Sequence, residues 1–403
     1  MLKEEVVILG NGFDLSCGIK SSYNNFYNKR YYDKYENNEI IIGEDISKVG
    51  ASCEDICSYE YGWDTLNLLN YEESITFWDL AIFSTKKKVG SWQDFESFIK
   101  DTLVKLKKSL YGVITKLKIK SFSNWSFDAI SEFENKSESD NNFLLFLALR
   151  MKHNTEDYVK DITYENISDF LLKELIKFEN CFCEYLSIEV SQLRYNDKSI
   201  SLLKKVQKDV SDVISNVVTF NYTSPKHVMS YRVKNGTEEK YLKHVHGNLV
   251  NKNIIFGINI SDSKLDTAEK TYSNFNDPFF RKFTKTYRTL SLVNEFPLYS
   301  SETEEIKFFG HSLGDADFSY FKVMFDSLDL YNGNLKLKFY YSDYTDKIDI
   351  KSQQIEFVTH LLKEYEEGLE AENIENIPYS GYIFDKLRTQ GRLSIIRVDN
   401  SEL

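Results

Sequence analysis

Four polar segments of the sequence each follow a short apolar run and carry side chains that could bind a ligand or transfer a proton. The segments are Gly10-Asn11-Gly12-Phe13-Asp14, Thr219-Phe220-Asn221-Tyr222-Thr223, Lys243-His244-Val245-His246-Gly247-Asn248 and Gly310-His311-Ser312-Leu313-Gly314-Asp315-Ala316-Asp317. Asparagine both donates and accepts hydrogen bonds, histidine suits a general base near neutral pH, and a Gly-x-Gly loop lets backbone N–H groups approach a phosphate. Each segment alone is also typical of a turn or a helix cap. Their combination indicates a ligand site.

The elements that would position these segments follow from the spacing of apolar residues. Apolar runs at residues 6–9, 217–220, 254–256, 306–309, 335–341 and 393–398 are typical of buried strands. Between the first two runs, apolar residues recur at three- and four-residue steps. They predict long helices that begin at Ser91 and at Asp169. Strands interspersed with helices favour an α/β fold with a mainly parallel sheet, in which ligands bind at the carboxyl ends of strands.

This pattern predicts four parts of the chain. Residues 1–90 form the first part of an α/β nucleotide-binding core, and residues 91–210 form a large helical insertion. Residues 211–345 complete the core, and residues 346–403 add a C-terminal α/β extension. A length of 403 residues is sufficient for this arrangement.

Net charge and hydropathy exclude several classes of function. The formal net charge of −12 argues against a large nucleic-acid footprint and against binding to an anionic membrane, because both need positive surfaces. The longest apolar run, at residues 143–149, is far shorter than the roughly 20 residues of a membrane helix. The first residues, Met-Leu-Lys-Glu-Glu, do not resemble a secretory leader. We therefore expect a cytoplasmic protein.

The five cysteines do not form the pattern of a metal site. They are Cys17, Cys53, Cys57, Cys181 and Cys183. An odd number in such a chain indicates reduced thiols, and no second Cys or His pair at the usual spacing completes a zinc site with Cys53 and Cys57. We expect no metal.

The order of the motifs resembles a known family. The segment from Gly10 to Leu15, followed by Gly18-Ile19-Lys20-Ser21-Ser22-Tyr23-Asn24-Asn25-Phe26, resembles the opening of the AbiH family of bacteriophage abortive-infection proteins. Trp92-Gln93-Asp94-Phe95-Glu96 is similar to a Trp-x-Asp-x-Glu segment of that family. The segments around Asn221, His246 and Gly310 extend the resemblance. Glu96 is a further pocket candidate, and its alternative role is to complement the dipole of a helix N-terminus.

A second, more distant resemblance is to the sirtuin-like NAD-binding fold, in which a Gly-x-Gly loop, a strand-end Asn, a His-Gly pair and a Gly-x-Ser-Leu loop occur in this order. It implies a sirtuin-like Rossmannoid core. Leu15 departs from the dinucleotide fingerprint of dehydrogenases, and Thr223 stands where sirtuin-like proteins usually carry Asp. The resemblance implies catalytic roles for Asn221 and His246. It implies NAD-binding roles for Gly10, Asn11, Gly12, Phe13, Asp14, Tyr23, Gly310, His311, Ser312 and Asp315.

Together the resemblances imply antiphage defence by abortive infection, in which the triggered protein hydrolyses NAD to nicotinamide and ADP-ribose. NAD is then a substrate. The alternative is a non-enzymatic effector that senses a nucleotide or a phage protein. The expected partners are NAD or a related nucleotide, together with a phage-derived trigger and further copies of the chain in a homo-oligomer.

Overall fold

A computed structural model describes fifteen stretches of the chain, and all structural statements below refer to them: residues 3–31, 75–84, 92–117, 143–153, 163–192, 195–207, 213–225, 231–234, 237–240, 242–258, 277–292, 297–314, 317–345, 349–371 and 382–399. The chain divides into two compact units. The sheet unit comprises Met1–Ser21, Leu186–Ile254 and Leu292–Leu403. The helical unit comprises Ser22–Tyr185 and Ile255–Ser291. The boundaries between the four predicted parts of the chain stay predictions.

The sheet unit is built on six parallel strands. They are β1 (Lys3–Leu9), β2 (Val213–Thr219), β5 (Leu242–His244), β6 (Thr303–Phe309), β7 (Lys336–Tyr341) and β8 (Leu393–Arg397), in the spatial order β5-β2-β1-β6-β7-β8. A separate antiparallel hairpin joins β3 (Tyr231–Lys234) to β4 (Thr237–Lys240). In the register of the central strands, Leu9 lies opposite Thr219 on one side and Phe309 on the other. Three of the strands therefore end at the same level.

Twelve helices are described in chain order. They are α1 (Asn11–Ser16), α2 (Tyr23–Tyr31), α3 (Phe77–Ser84), α4 (Trp92–Gly112, continued by a π-helical turn at Val113–Leu117), α5 (Phe143–His153), α6 (Tyr164–Gln192), α7 (Tyr195–Val206), α8 (Pro278–Arg281), α9 (Lys285–Leu290), α10 (Phe318–Ser327), α11 (Ile350–Ala371) and α12 (Tyr382–Thr389). None of the described helices is both long enough and apolar enough to cross a bilayer.

The two faces of the sheet differ in character. On one face, Ile8, Phe308 and Phe339 belong to an apolar core that also includes side chains of α10 and α11. On the other face the buried ammonium of Lys307 lies 2.8 Å from the Glu5 carboxylate and donates to the carbonyl of Val206 at the end of α7. Because a buried charge needs a partner, the Glu5 carboxylate compensates the charge of Lys307 inside the sheet unit.

The helical unit combines an aromatic core with buried ion pairs. Its rings include Tyr23, Phe26, Phe95, Phe178, Phe182 and Phe256, most of which meet edge to face. The guanidinium of Arg30 binds both oxygens of Asp79, and the guanidinium of Arg288 binds both oxygens of Glu179. Bidentate pairs of this kind fix geometry as well as charge.

Most sequence-predicted elements are confirmed, and one is wrong. The strands predicted at residues 6–9, 217–220, 306–309, 335–341 and 393–398 correspond to β1, β2, β6, β7 and β8, and the two long helices correspond to α4 and α6. Residues 254–256 do not form a strand. The N–H of Phe256 donates instead to Glu179 Oε1 at 2.6 Å, and its carbonyl accepts from Arg288 at 3.2 Å. Side chains therefore satisfy the backbone groups that a neighbouring strand would otherwise pair.

Candidate functional site

The reversal of the strand order defines the edge of the sheet where a ligand site is expected. From β1 the chain builds outward through β2 to β5, and it then returns to the other side of β1 to form β6, β7 and β8. Open parallel sheets bind ligands at the carboxyl ends of the strands beside such a switch point. The segments that follow β1, β2, β5 and β6 contain most of the predicted site residues, and their backbone lies in the sheet unit.

The glycines at this edge are explained by the close approach of two loops. The N–H of Gly10 donates to the Phe309 carbonyl at 3.0 Å, and the N–H of Gly12 donates to the Gly310 carbonyl at 2.7 Å. A Cβ on Gly10 would lie 2.4 Å from the Cα of His311. Gly310 has φ +65°, and a Cβ there would lie 2.4 Å from the nitrogen of Phe13. The two N–H groups are thus engaged within the protein, and the glycines allow the loops after β1 and β6 to touch.

Three further predicted residues in the loops after β1 and β6 differ in their burial. Phe13 is fully buried, with its ring 5.4 Å from that of Phe309. Asn11 is half-buried, and its Oδ1 accepts from the Ser21 hydroxyl at 2.5 Å. Ser312, after β6, is exposed.

Three further candidates lie elsewhere. Tyr23 belongs to the helical unit, where its buried ring stacks on Phe95 at 4.6 Å. Glu96 is in the same unit, and its carboxylate lies 3.0 Å from the ammonium of Lys285. Asp315 lies outside the described residues, as do Cys53 and Cys57.

Asp14 is the central residue of a buried polar cluster. It is 2% exposed, and its carboxylate accepts hydrogen bonds from the Thr223 hydroxyl at 2.7 and 2.9 Å and from the Tyr195 hydroxyl at 3.1 Å. Burial raises the pKa of Asp14 to about 7, although the hydrogen bonds from Thr223 and Tyr195 act to lower it. Burial also raises the pKa of Tyr195 well above its ordinary value of 10.0. Asp14 is therefore a carboxyl group that can exchange a proton near neutral pH.

Asn221 is held at the end of β2 by backbone and side-chain contacts. Its backbone N–H donates to the Thr219 hydroxyl at 3.0 Å, and its side-chain Nδ2 donates to the Gly10 carbonyl at 2.9 Å. A carbonyl can only accept, so the amide nitrogen, rather than the amide oxygen, faces Gly10. Because Asn221 is 8% exposed, its side chain has a fixed orientation between the loops after β1 and β2.

Two histidines converge on one carboxylate at the same edge. The Nε2 atoms of His246 and His311 lie 3.5 Å from Asp317 Oδ1 and Oδ2, respectively. The N–H of Leu313 donates to His311 Nδ1 at 2.9 Å, which leaves the proton of a neutral His311 ring on Nε2, toward Asp317. The ring of Phe220 lies edge to face against both imidazoles, at 5.4 and 4.7 Å. The orientation of both rings beside the carboxylate is therefore restricted.

Sequence reasoning missed the roles of Tyr195 and Asp317. Tyr195 begins α7 in the region predicted as a helical insertion, and a lone tyrosine carries no signal of contact with Asp14. Asp317 stands at the N-cap position of α10, yet its side chain makes no capping hydrogen bond. Its sequence position suggests only a helix cap, and its contact with the histidines is visible only in the fold. Among the described residues, no cluster of three or more His, Cys, Asp or Glu side chains is arranged to hold a metal ion.

The geometry defines the class: an α/β protein with an all-parallel sheet and a polar, nearly buried site at its carboxyl edge. The family model for bacteriophage abortive infection AbiH matches residues 6–341, a range that begins within β1, ends with β7 and includes every residue of this site. The chain belongs to this family, and membership implies a role in abortive infection against phage. No curated protein and no solved structure matches the chain.

Proposed function

We propose that the protein is an abortive-infection effector that hydrolyses NAD to nicotinamide and ADP-ribose. The observation that supports this proposal is the convergence of Asn221, His246 and His311 beside the switch point of the parallel sheet. Depletion of NAD would stop both host metabolism and phage replication. The resemblance of the core to sirtuin-like proteins remains part of this proposal.

Hydrolysis of NAD requires the protein mainly to orient the reactants and to accept a proton. The bond between nicotinamide and C1′ of the ribose breaks, and its electron pair neutralises the pyridinium nitrogen. A water oxygen then bonds to C1′ and releases one proton. Asn221 orients the ribose or the water, and His246 accepts the proton. Asp317, 3.5 Å from His246 Nε2, stabilises the imidazolium that forms when His246 accepts the proton.

In this proposal the loop of Gly10 and Gly12 shapes the site but does not itself bind the phosphates of NAD. The N–H groups of Gly10 and Gly12 already donate to carbonyls of the protein, and the Asp14 carboxylate would repel a phosphate when ionised. Ser312, which is exposed, and the half-buried Asn11 are the candidates at this edge for contact with the pyrophosphate or the second ribose. Gly10, Gly12, Phe13 and Gly310 would shape the site through backbone packing.

The test is direct measurement of product. Purified protein is incubated with NAD, with and without lysate from phage-infected cells, and nicotinamide and ADP-ribose are followed by chromatography. Asn221→Ala and His246→Ala should abolish product formation. The matched controls are Asn332→Ala and His360→Ala, which alter exposed side chains and should leave product formation unchanged. Full activity in either site variant would contradict the assignment. Product that appears only with infected lysate would indicate a phage-derived trigger.

A second candidate function, binding without turnover, is favoured by the burial of the two central residues. Asn221 is 8% exposed and His246 is 6% exposed, so little of either side chain is open to solvent. In this alternative the protein senses a nucleotide or a phage protein. NAD that remains intact after binding, together with toxicity that is unaffected by Asn221→Ala and His246→Ala, would favour it over hydrolysis.

A further inference from the structure

Ser224 and His244 form a hydrogen-bonded pair in the sheet unit that the proposed hydrolysis of NAD does not use. The Ser224 Oγ atom lies 3.0 Å from His244 Nε2. Nδ1 of the same imidazole lies 3.2 Å from the backbone carbonyl oxygen of Asn221. A carbonyl oxygen can only accept, so Nδ1 carries the proton of the neutral ring and Nε2 accepts from the Ser224 hydroxyl. The hydroxyl therefore faces the basic nitrogen of the histidine.

The backbone holds both residues of this pair in place. His244 ends β5, an outer strand of the sheet, and lies opposite Thr219 of β2. The N–H of Val245 donates to the Thr219 carbonyl at 3.0 Å, which fixes the end of β5. Ser224 precedes Pro225, and a proline ring restricts the backbone conformation of the residue before it. Ser224 and His244 are both half-buried, so the pair is fixed in geometry but partly open to solvent.

We propose that Ser224 is a nucleophile activated by His244, and that the pair hydrolyses activated carboxylic esters. An activated serine needs a base within hydrogen-bonding distance and a third group that orients the base. His244 is the base, and the backbone carbonyl of Asn221 is the third group. This second activity goes beyond the proposed hydrolysis of NAD and depends on none of its steps.

The reaction proceeds in two transfers of the acyl group. In the first, the proton of the Ser224 hydroxyl passes to His244 Nε2 as Oγ bonds to the carbonyl carbon of the ester. The bond from that carbon to the leaving oxygen then breaks, and the leaving oxygen keeps the electron pair and takes the proton from Nε2. In the second transfer, water gives a proton to Nε2 and its oxygen bonds to the acyl carbon. The bond from that carbon to Oγ breaks, Oγ regains a proton, and the carboxylic acid is released.

The neutral character of the third group limits the class of substrate. Where a carboxylate orients the histidine of a serine hydrolase, its charge stabilises the imidazolium that forms during the reaction. The Asn221 carbonyl supplies a dipole instead of a full charge, so protonated His244 is stabilised less. Aryl esters, whose leaving oxygen departs readily, therefore fit the pair better than amides, whose leaving nitrogen must receive a proton from the histidine.

The experiment incubates the full chain with a fluorophosphonate in the absence of NAD. An activated serine oxygen bonds to the phosphorus of this probe, fluoride leaves, and the hydroxyl proton passes to the base. Mass spectrometry of the peptides should place the label on Ser224. Ser224→Ala should abolish the label. His244→Gln keeps a hydrogen-bonding side chain but removes the base, so it should slow labelling about 100-fold or more.

The matched controls are Ser191→Ala and His360→Gln. The Ser191 hydroxyl is exposed and donates to the carbonyl of Ile188, and His360 is an exposed residue of α11. Both variants should be labelled at the wild-type rate. A second measurement follows the release of p-nitrophenolate from p-nitrophenyl acetate, together with the acetyl group that is transferred to Ser224. Release should require Ser224 and His244.

The peptides of the labelled wild-type protein test the inference even if a variant fails to fold. A wild-type protein in which Ser224 reacts no faster than the exposed Ser191 would overturn it. A wild-type labelling rate in His244→Gln would overturn the role of His244 as the base. A label on Ser224 without release of p-nitrophenolate would overturn the esterase activity. Failure to cleave NAD would contradict the proposed function alone, because neither the probe nor the ester involves NAD.

Discussion

The hydroxyl of Thr223 donates to the carboxylate of Asp14, although the two residues lie 209 positions apart in the chain. In the proposed likeness to sirtuin-like proteins, Thr223 stands where those proteins usually carry Asp. A second carboxylate here would lie within hydrogen-bonding distance of Asp14, and two like charges at that separation cannot both ionise without a large cost. A threonine supplies a hydrogen-bond donor instead. A threonine at this position is therefore compatible with the buried acid after β1.

Removal of the Thr223 hydroxyl should destabilise the protein. Thr223→Val keeps the shape of the side chain but takes a donor from the buried Asp14 carboxylate, so the free energy of unfolding should fall by about 1–3 kcal/mol. Urea unfolding at pH 8 measures this loss. Thr389→Val is the control. Its hydroxyl is exposed and bonds to carbonyls of its own helix, so the change should stay within about 0.5 kcal/mol. Equal losses in both variants would contradict the role of Thr223.

The stability contributed by Asp14 should depend on pH with a defined sign. Its pKa is raised from 3.8 to about 7 in the folded protein, so the folded state retains a proton that the unfolded state loses above pH 4. This contribution is fully present below about pH 4 and is lost as pH rises through about 7. The corresponding free energy is about 4 kcal/mol. Asn cannot ionise, so Asp14→Asn should become more stable relative to wild type between pH 4 and pH 8.

This expectation is checked by measuring the free energy of unfolding of the wild type and of Asp14→Asn at several pH values. Only the difference between the two proteins isolates the contribution of the Asp14 carboxyl. Asp326→Asn is the control, since Asp326 lies on the surface of α10 and pairs with Lys322. Its difference from wild type is the reference against which the Asp14→Asn difference is compared. A constant difference for Asp14→Asn would show that the buried carboxyl does not hold its proton near neutral pH.

The sequence predicts a strand correctly where a run of apolar residues is buried in the sheet and no distant side chain binds its backbone. Residues 6–9 form the end of β1 for this reason. The apolar residues 254–256 fail as a strand because Glu179 and Arg288, distant in the chain, bond to the backbone of Phe256. The hairpin of β3 and β4 was missed for the opposite reason. β3 contains only two apolar residues, Tyr231 and Val233, and β4 (Thr237–Lys240) contains none, so the hairpin gives little hydrophobic signal.

The candidate site is predictable in composition but not in its contacts. The strand-end positions of Asn221, His246 and His311 follow from local sequence, because the ends of parallel strands share one edge. The structural role of Gly10 and Gly12, by contrast, does not follow from local sequence. Gly10 and Gly12 look like a phosphate loop in sequence, whereas their tight packing against Gly310 depends on the register between β1 and β6. The contact of Tyr195 with Asp14 spans 181 positions and has no local signature.

Two glycines with nearly equal φ angles allow the energetic cost of backbone strain to be measured separately from the cost of close packing. Gly310 (φ +65°) and Gly391 (φ +67°) both occupy the left-handed region. A Cβ on Gly310 would lie 2.5 Å from the Gly12 carbonyl carbon, whereas a Cβ on Gly391 would meet nothing within 4 Å. Gly391→Ala should therefore cost only the conformational term, about 1–2 kcal/mol. Gly310→Ala should cost about 3 kcal/mol or more.

Thermal and urea unfolding of the two alanine variants provide the comparison. The difference between them measures the contact between the loops after β1 and β6, since the backbone term is common to both. Similar losses would mean that the loops can separate at little cost. That result would also restore the N–H groups of Gly10 and Gly12 as candidates for phosphate contact.

Asp317 should be required for turnover if His246 is the base. Its carboxylate lies 3.5 Å from the Nε2 atoms of both His246 and His311, where it orients the rings and stabilises the imidazolium that forms when His246 accepts a proton. Asp317→Asn keeps the size of the side chain and removes the charge, so kcat for NAD cleavage should fall about 100-fold or more, with little change in KM. Asp326→Asn, on the same helix, should keep wild-type kcat. Wild-type kcat in Asp317→Asn would mean that His246 is not the proton acceptor, and the two histidines would then serve to bind the ligand.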